Sequence, residues 1–591
     1  AEVDSHTVTV TAAATAGTIN ITGGTLIQSG GNTITTPWLN MSGGVFKGGS
    51  GTVDVNGYYG LYGGEFNSTS GRLSVSGDIY HEAGTFNHNL GEYHVAGAAP
   101  EIHLNPTLEV YNLTFDALSS AAYIYMDAGD AFTAWGYTKI NSGRIIRGMV
   151  DARGNISQES SAGARGNMEV HFGNDSLSQY YVFNGGTGPY LVLNSTDDAN
   201  DHILFNTDGS LSGLYVTSGF GDNTIPLTYN GYNFTLGSYS NRRGLELHAG
   251  TFNAPGKLTI AGTNLTLTGI TAFNHNNGHV IFTSPYNSYT DFDNNATFYD
   301  VTMHKGTNVD QNMQAGDRMI VEGVMNFSDG QMWNGVVESK GDVYVGSSYD
   351  GGTTDLEFFG DTATQSFDLT GGAGNFNGDI YVNKTAGSVV MASALTLDSG
   401  AELELEDGTL DISGYDITVS GGGNLDVSGQ GHLRLQGGES VTTPILNTGS
   451  QVTYYGSGDY TLKPWSYHHL DVAGPGRFST GTSPTLKVGG DLNVSAGTFE
   501  FNDTTADVTG YLDIGSSAQV DPTNLAGSNV SVGGSLTLTG ESGDLLNLRA
   551  GGYWNLTVSG TALATYVNVS NSDANAGTTI DATDGTSIDG G

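Results

Sequence analysis

The segment Gly71-Arg-Leu-Ser-Val-Ser-Gly77 is followed twenty residues later by Gly91-Glu-Tyr-His-Val-Ala-Gly97, and these two segments decide the fold. Each alternates apolar with polar residues and ends on glycine, which is typical of a short strand that closes in a tight corner. A repeat of this kind cannot bury its apolar face alone, so it has to stack on its neighbours. The pattern therefore predicts a chain that winds on itself once in about twenty residues.

Two glycine markers keep the same step along the start of the chain. The first stands two positions before a large apolar residue, and the second stands before short strands; the members are Gly24 with Leu26, Gly44 with Phe46, Gly64 with Phe66, Gly84 with Phe86, and then Gly31, Gly51, Gly71 and Gly91. We expect the apolar residues to form an internal column and the glycines to lie where the backbone turns with a positive φ or approaches the next coil closely. The predicted fold is all-β, a right-handed parallel β-helix (β-solenoid) with coils of about 20 residues and irregular insertions.

Three regions differ in regularity. Residues 1–140 are predicted to form a regular β-helix, residues 141–250 a less regular inserted or decorated β region, and residues 251–591 further β-helix modules. The last region carries aromatic-tipped strands followed by a Tyr-x-Leu-Thr element, as in Tyr553-Trp-Asn-Leu-Thr-Val558. The order of elements is therefore repeated as well as the residues.

Composition restricts the partners of the chain. Lys and Arg number 19 against 60 Asp and Glu, which gives a net charge of -41, so the surface repels nucleic acid. The absence of cysteine excludes a disulfide scaffold and thiolate-bound metals. No stretch reaches the roughly 18 to 20 continuous apolar residues that span a bilayer, so we expect no membrane span in this chain.

The repeated order of elements, followed by glycine-rich coils, resembles the repeats of large secreted β-helical surface proteins of bacteria and archaea, including adhesin-like proteins. The tail, with Tyr566-Val-Asn-Val-Ser-Asn-Ser-Asp573 and Ile588-Asp-Gly-Gly591, is similar to the last repeat of those proteins. This resemblance covers most of the chain. It implies an acidic, secreted protein of the extracellular space or the cell surface, with a structural role.

The favoured function is a non-enzymatic structural protein of a prokaryotic cell surface: an adhesin stalk, a sheath or surface-layer unit, or a filament subunit. The expected partners are other copies of the chain, joined through exposed strand edges. Candidate assembly contacts are Val8, Val10, Arg144, Arg147, Arg153 and Arg165. For the arginines the alternative is a solvated loop. For the whole chain, an exported passenger domain is a third hypothesis, and it would share the same fold.

The rival hypothesis is a carbohydrate-active or carbohydrate-binding β-helix of the polysaccharide lyase or tailspike type, with surface glycans as partners. Lyases and hydrolases need paired carboxylates, or carboxylates with calcium and a basic residue, on consecutive coils. No basic residue stands beside a carboxylate cluster at the spacing of one coil, so we do not expect an enzyme or catalytic residues. A groove lined by tyrosine or tryptophan together with carboxylates would favour this hypothesis.

Calcium is the one candidate cofactor. Asp197, Asp198 and Asp201 offer several oxygen ligands within a short loop, which is what calcium needs. The loop matches neither the EF-hand spacing nor the nonapeptide calcium repeat. A solvated acidic loop is the alternative.

Asn-x-Ser/Thr triplets recur along the chain and predict a glycoprotein. A chain this rich in asparagine, serine and threonine also produces such triplets by chance, and some of these asparagines can serve turns instead. The candidates are Asn20, Asn40, Asn67, Asn112, Asn155, Asn174, Asn194, Asn233, Asn264, Asn295, Asn326, Asn383, Asn493, Asn502, Asn529, Asn555 and Asn568.

Overall fold

The computed structural model describes residues 1–162, 168–173, 178–237, 243–360, 364–369, 376–481, 485–573, 577–580 and 587–589. These residues form parallel β-strands and three short 3-10 helices, Thr196–Asn200, Ser218–Phe220 and Pro522–Asn524, and they contain no α-helix. The strands stack in coils of about 21 residues, so the predicted β-solenoid is confirmed. The chain divides into two compact units, Ala1–Asp317 and Arg318–Gly591.

The first unit is built of ladders in which each strand pairs in parallel with its counterpart one coil later. The first ladder contains Glu2–Val3, Ile19–Ile21, Ile34–Lys47, Val53–Asn67, Ile79–Asn87, Glu101–Leu104 and Tyr123–Met126, with Thr7–Val10, Ala14–Thr15 and Thr25–Gln28 beside its start. The second contains Arg72–Val75, Glu92–Gly97, Asn112–Ala117, Thr138–Ile146, Ile156–Ala162, Tyr180–Phe183, His202–Phe205 and Leu227–Thr228.

The third ladder of the first unit carries the site described below. It contains Thr107–Val110, Ala131–Ala134, Met149–Ala152, Glu169–Phe172, Gly188–Leu193, Gly209–Val216, Leu245–Leu247, Asn264–Leu267, Ser288–Asp291 and Asp310–Met313. The remaining strands of this unit are Phe234–Leu236, Lys257–Ile260, His279–Phe282, Asp300–His304, Thr251–Asn253, Ala272–Asn274 and Asn295–Phe298.

The second unit repeats the same construction. Its main ladder contains Arg318–Val321, Val336–Ser339, Asp355–Phe359, Ile380–Met391, Leu403–Asp411, Leu425–Leu435, Gln451–Tyr454, His469–Val472, Leu492–Val494, Leu512–Ile514, Leu536–Thr539 and Ala562–Thr565. A second contains Ser466–Tyr467, Thr485–Val488, Thr505–Val508, Asn529–Val532, Leu546–Val558, Val567–Asp573 and Ile588–Asp589. The remaining strands are Met325–Trp333, Val343–Gly351, Gln365–Asp368, Leu395–Leu397, Ile417–Val419, Ile445–Leu446, Asp459–Thr461, Arg477–Ser479, Gly497–Glu500 and Ala518–Val520.

The core of each coil is the column of apolar side chains that point inward. Leu26 is in register with Phe46, and Phe46 with Phe66. The rings of Phe46 and Phe66 stack with centroids 4.5 Å apart and planes inclined by 10°, and both side chains are buried. The next ring, that of Phe86, continues the stack at 5.6 Å. The internal column predicted from the twenty-residue step is therefore confirmed.

The two glycine markers serve the two predicted purposes. Gly64 adopts a φ of 83°, which strains any residue with a side chain. The other marker is needed for close approach, since a Cβ on Gly91 would lie 2.0 Å from the carbonyl oxygen of Thr69 in the preceding coil. Glycine at both positions lets coils lie one above another without a side chain between them.

We expect Gly64→Ala to lower the free energy of unfolding by about 2 kcal/mol or more, because alanine is strained at positive φ. In addition, the new methyl group would lie 2.6 Å from the carbonyl oxygen of Gly44. Gly17→Ala is the matched control, since a Cβ there has no neighbouring atom within 4 Å. Urea denaturation followed by circular dichroism measures both variants, and equal midpoints would contradict the role given to the marker glycines.

Candidate functional site

The third ladder presents a polar and aromatic trough on its outer face. In the strand Glu169–Phe172, Val170 and Phe172 are buried in the core, so Glu169 and His171 point outward. Two adjoining depressions of about 360 and 370 Å³ meet at Glu169 and Arg243. The trough is lined by Asp130, Arg147, Glu169, His171, Tyr190, Asn194, Tyr215, Arg243 and Glu246.

Register along the ladder brings these residues together. Glu169 is in register with Tyr190 one coil later, and Tyr190 is in register with Gly213. The neighbouring outward column runs from His171 through Val192 and Tyr215 to Glu246. Residues far apart in sequence therefore become neighbours at the spacing of the coils, which is about 4.8 Å between hydrogen-bonded strands.

Arg243 contacts both Glu169 and Tyr190, which are in register one coil apart. Its guanidinium group lies over the ring of Tyr190, 4.1 Å from the centroid, and its Nη1 donates a hydrogen bond to Glu169 Oε1 at 2.9 Å. Gly213 allows this packing, because a Cβ there would lie 2.6 Å from Tyr190 Cδ2. The Tyr190 ring consequently lies beneath the guanidinium group, and only 3% of the residue is exposed.

Glu169 is fixed as an ionised carboxylate. His171 Nε2 lies 3.5 Å from its Oε2, and Asn194 Nδ2 lies 3.3 Å from His171 Nδ1, so this network assigns the ring proton to Nε2. Hydrogen bonds from His171 and from Arg243 lower the pKa of Glu169 to about 2. At neutral pH the site therefore presents a carboxylate held between two donors.

Aromatic rings form one wall of the trough. The rings of Tyr190 and Tyr215 stack at 6.4 Å with an interplanar angle of 17°, and His248 meets Tyr215 edge-on at 5.5 Å. Beside them, Asn264 Nδ2 donates to Glu246 Oε1 at 3.2 Å. The wall thus places an aromatic face next to hydrogen-bond donors and acceptors.

A second polar chain crosses the second ladder of the same unit. Ser74 Oγ lies 3.1 Å from His94 Nδ1, and His94 Nε2 lies 3.5 Å from Asp116 Oδ2. These residue types occur in this order in hydrolase triads. A triad also needs an accessible nucleophile with oxyanion donors, whereas Ser74 is 9% exposed and is in register with His94 on adjacent strands. We interpret the Ser74–His94–Asp116 contacts as side-chain interactions that join successive coils.

The acidic loop predicted as a calcium site caps a 3-10 helix. Asp198 Oδ2 accepts hydrogen bonds from the backbone of Asn194 and Ser195, at 2.7 and 3.0 Å, and Asp201 Oδ1 accepts one from Gln179 N at 2.8 Å. Asp198 and Asp201 are buried, whereas Asp197 is exposed. Across the described ranges, no group of three or more His, Asp or Glu residues is arranged to hold a metal ion. Calcium binding by this loop stays a prediction.

The candidate assembly contacts lie in different places. Val8 is 40% exposed on the strand Thr7–Val10. Arg144 donates to Tyr123 Oη at 3.0 Å, and Arg153 lies over the Trp135 ring at 4.6 Å and donates to Asp151. The remaining candidates are Val10 on the same strand as Val8, Arg147 in the trough, and Arg165, which lies outside the described residues. Their role in assembly stays a prediction.

The glycosylation candidates lie on the outside of the coils. Each described sequon asparagine is exposed or part-exposed, and the exposed ones are Asn155, Asn194, Asn233, Asn295, Asn529 and Asn555. Several others use their amide between coils: Asn383 Nδ2 donates to Glu357, and Asn502 Nδ2 donates to Ser479. Asn174 lies outside the described residues. Glycan attachment itself stays a prediction.

The sequence expectation that no basic residue stands beside carboxylates at the spacing of one coil is wrong at Arg318, which donates to Glu338 twenty residues later and to Glu357. The ion pair at the trough spans several coils and lies outside that expectation. Arg243 pairs with Glu169 although 74 residues separate them in sequence. The successive steps from Glu169 to Tyr190, Gly213 and Gly244 are unequal in length, so a search at a constant spacing of twenty residues misses the pair. The motif Tyr190-Leu-Val-Leu-Asn194 was visible in the sequence, but its partners were not.

Comparison with protein-family models, with curated proteins and with solved structures finds no match for this chain. Within the part of the chain that the structure describes, no helix has the length and apolar character needed to cross a membrane. Function is therefore inferred from the chemistry of the trough.

We expect stability to depend on Asp201 between pH 4 and 6.5. Burial, helped by the charges of Asp198 and Asp197 and opposed by the hydrogen bond from Gln179, raises the pKa of Asp201 to about 6. Because the folded protein disfavours the ionised form, stability falls as pH rises from the unfolded pKa near 4 to about 6, by at most about 3 kcal/mol.

Asp201→Asn should flatten this fall, because the amide oxygen can still accept the Gln179 N–H but no charge develops. Asp208→Asn is the control, since exposed Asp208 also accepts a backbone hydrogen bond, from Asn233 N at 3.0 Å. Urea midpoints measured across this pH range test the expectation. Parallel pH profiles for the wild type and Asp201→Asn would contradict it.

Proposed function

We propose that this chain is a secreted, non-enzymatic β-solenoid of a cell surface that binds carbohydrate through the trough on its third ladder. The observation that carries the proposal is the Glu169–Arg243–Tyr190 arrangement beside Tyr215 and Glu246. Because the chain has no cysteine, a secreted protein of this kind is stabilised by stacking of its coils and not by disulfides. Coils in register supply the rigid support on which a binding site depends.

The chemistry of the trough suits sugars. A sugar offers hydroxyl groups, which both donate and accept hydrogen bonds, and one apolar ring face. The trough presents acceptors at Glu169 and Glu246, donors at Arg243 and Asn194, and the aromatic ring of Tyr215. A small number of polar groups held in fixed positions beside an aromatic surface is typical of small-ligand sites.

Binding without hydrolysis is favoured by the state of Glu169. Glycoside hydrolysis needs one carboxyl group that keeps a proton near neutral pH and gives it to the leaving oxygen. A pKa of about 2 leaves Glu169 ionised and bound to two donors. Asp130 is the trough carboxyl group whose pKa is raised, and burial is the cause. It is itself buried and accepts a hydrogen bond from Leu104 N at 2.6 Å, so we do not assign it the role of the acid.

We expect Arg243→Gln to weaken binding to immobilised polysaccharides at least about tenfold, because lost hydrogen bonds to charged groups cost about 1.5 to 3 kcal/mol. Arg434→Gln is the matched control. Arg434 forms the same kind of set, 3.0 Å from Asp411 Oδ2 and 4.5 Å above the Tyr455 ring, but in the second unit.

Binding of the wild type and both variants is measured by biolayer interferometry on a panel of glucans, mannans, galactans and xylans. We expect one or more polysaccharides to be bound equally by the wild type and Arg434→Gln, and at least about tenfold more weakly by Arg243→Gln. No binding across the panel, or equal loss in both variants, would refute it. Urea midpoints of the variants separate loss of binding from loss of fold.

Self-association is the second candidate function. The strand Thr7–Val10 pairs with Thr25–Gln28, and Val8 on it keeps 40% of its surface exposed. An exposed apolar strand can accept a strand from another copy of the chain. A surface filament or sheath would need such a contact.

We expect the double variant Val8→Asp and Val10→Asp to weaken self-association at least about tenfold, since added charge opposes edge pairing. Ile445→Asp is the control, because Ile445 is 46% exposed in the second unit. Sedimentation velocity across a concentration series distinguishes the outcomes. A wild type that stays monomeric throughout, or a double variant that associates as well as the control, would eliminate this candidate.

A further inference from the structure

The trough gathers more carboxylates than guanidinium groups. Its carboxylates belong to Asp130, Glu169 and Glu246, whereas its guanidinium groups belong to Arg147 and Arg243. The chain around it carries a net charge of -41. An incoming anion therefore meets repulsion at long range and again at the wall of the trough.

Arg243, one of the two arginines of the trough, is already engaged. Arg243 gives one donor to Glu169 at 2.9 Å and covers the Tyr190 ring at 4.1 Å. A uronate carboxylate that bound Arg243 would have to compete with Glu169 for the same guanidinium group. Since His171 also holds Glu169, displacing it would break two contacts at once.

We propose that the trough selects neutral polysaccharides and rejects the uronates of the same backbone. This inference rests on the proposed function and adds the class of ligand. Hydroxyl groups can bridge Glu169 and Arg243 without separating them, since each hydroxyl both accepts and donates. The Tyr215 ring lies beside this pair and gives the apolar face of a pyranose a surface to pack on.

The outer face extends this surface toward the preceding coils. Asp151 is in register with His171, and Arg153 next to it donates to Asp151 and lies over Trp135. Trp135 is 44% exposed, and its Nε1 donates to Glu109 at 3.3 Å. The repeated combination of aromatic ring, guanidinium and carboxylate provides for more than one sugar unit along the ladder.

The test compares each polysaccharide that the wild type binds with its C6-oxidised form, in which the primary alcohol has become a carboxylate. Isothermal titration calorimetry of the full chain with soluble oligosaccharides of both forms gives two affinities per backbone. We expect the neutral form to bind at least about tenfold more tightly at 20 mM salt. The ratio should shrink at 500 mM salt, because salt screens the repulsion.

Glu246→Gln tests whether the discrimination is local. Removing this wall carboxylate should shift the ratio of affinities toward the oxidised form by about threefold or more. Glu404→Gln removes the same charge from the outer face of the second unit and should leave the ratio as in the wild type. A ratio that changes equally in both variants would show that net charge alone decides, and would overturn the assignment to the trough.

The outcomes separate the two proposals. Preference for the oxidised form, or equal affinity for both forms, would overturn the inference while carbohydrate binding stands. Absence of binding to either form of every backbone would refute carbohydrate binding itself.

Discussion

Registered stacking of parallel coils is the constraint on which the structure depends. The backbone N–H and C=O groups of a strand pair with the coils before and after it, so a strand residue lies above its register partner in the next coil. Inward positions become columns such as Leu26, Phe46 and Phe66. Outward positions become columns too, and their chemistry is therefore decided by which residues share a register.

Columns of like charge are unfavourable, and the chain meets this cost with bridging side chains. Glu338 and Glu357 are in register in the second unit, and Arg318 donates to both. Elsewhere amides stack, as Asn87 does on Asn67 at 2.7 Å. In the trough the bridge is Arg243, which reaches Glu169 across intervening coils because Gly213 leaves room for the Tyr190 ring. The trough thus arises from the same packing constraint, and it leaves two adjoining depressions on the outer face.

The sequence predicts the fold because the twenty-residue step fixes the internal column and the marker glycines directly. It does not predict the trough, because the steps between Glu169, Tyr190, Gly213 and Gly244 vary in length and hide the shared register. The acidic loop shows a second limit. Carboxylates close in sequence suggested a cation, but Ser195 and Asp198 have the spacing of a helix cap, and buried Asp198 accepts hydrogen bonds from the backbone. The buried carboxylate of Asp198 is therefore satisfied by local capping hydrogen bonds, and calcium binding by the loop stays a prediction.

The central claim is that stacking brings Glu169 and Arg243 together into a site for a neutral sugar chain. A crystal structure of the protein soaked with a bound neutral oligosaccharide tests it most directly. We expect the Glu169–Arg243 hydrogen bond to be intact, with sugar hydroxyls bridging the pair and a pyranose face packed on Tyr215. A structure in which the two side chains lie on separate faces, or in which the sugar binds elsewhere, would contradict the account.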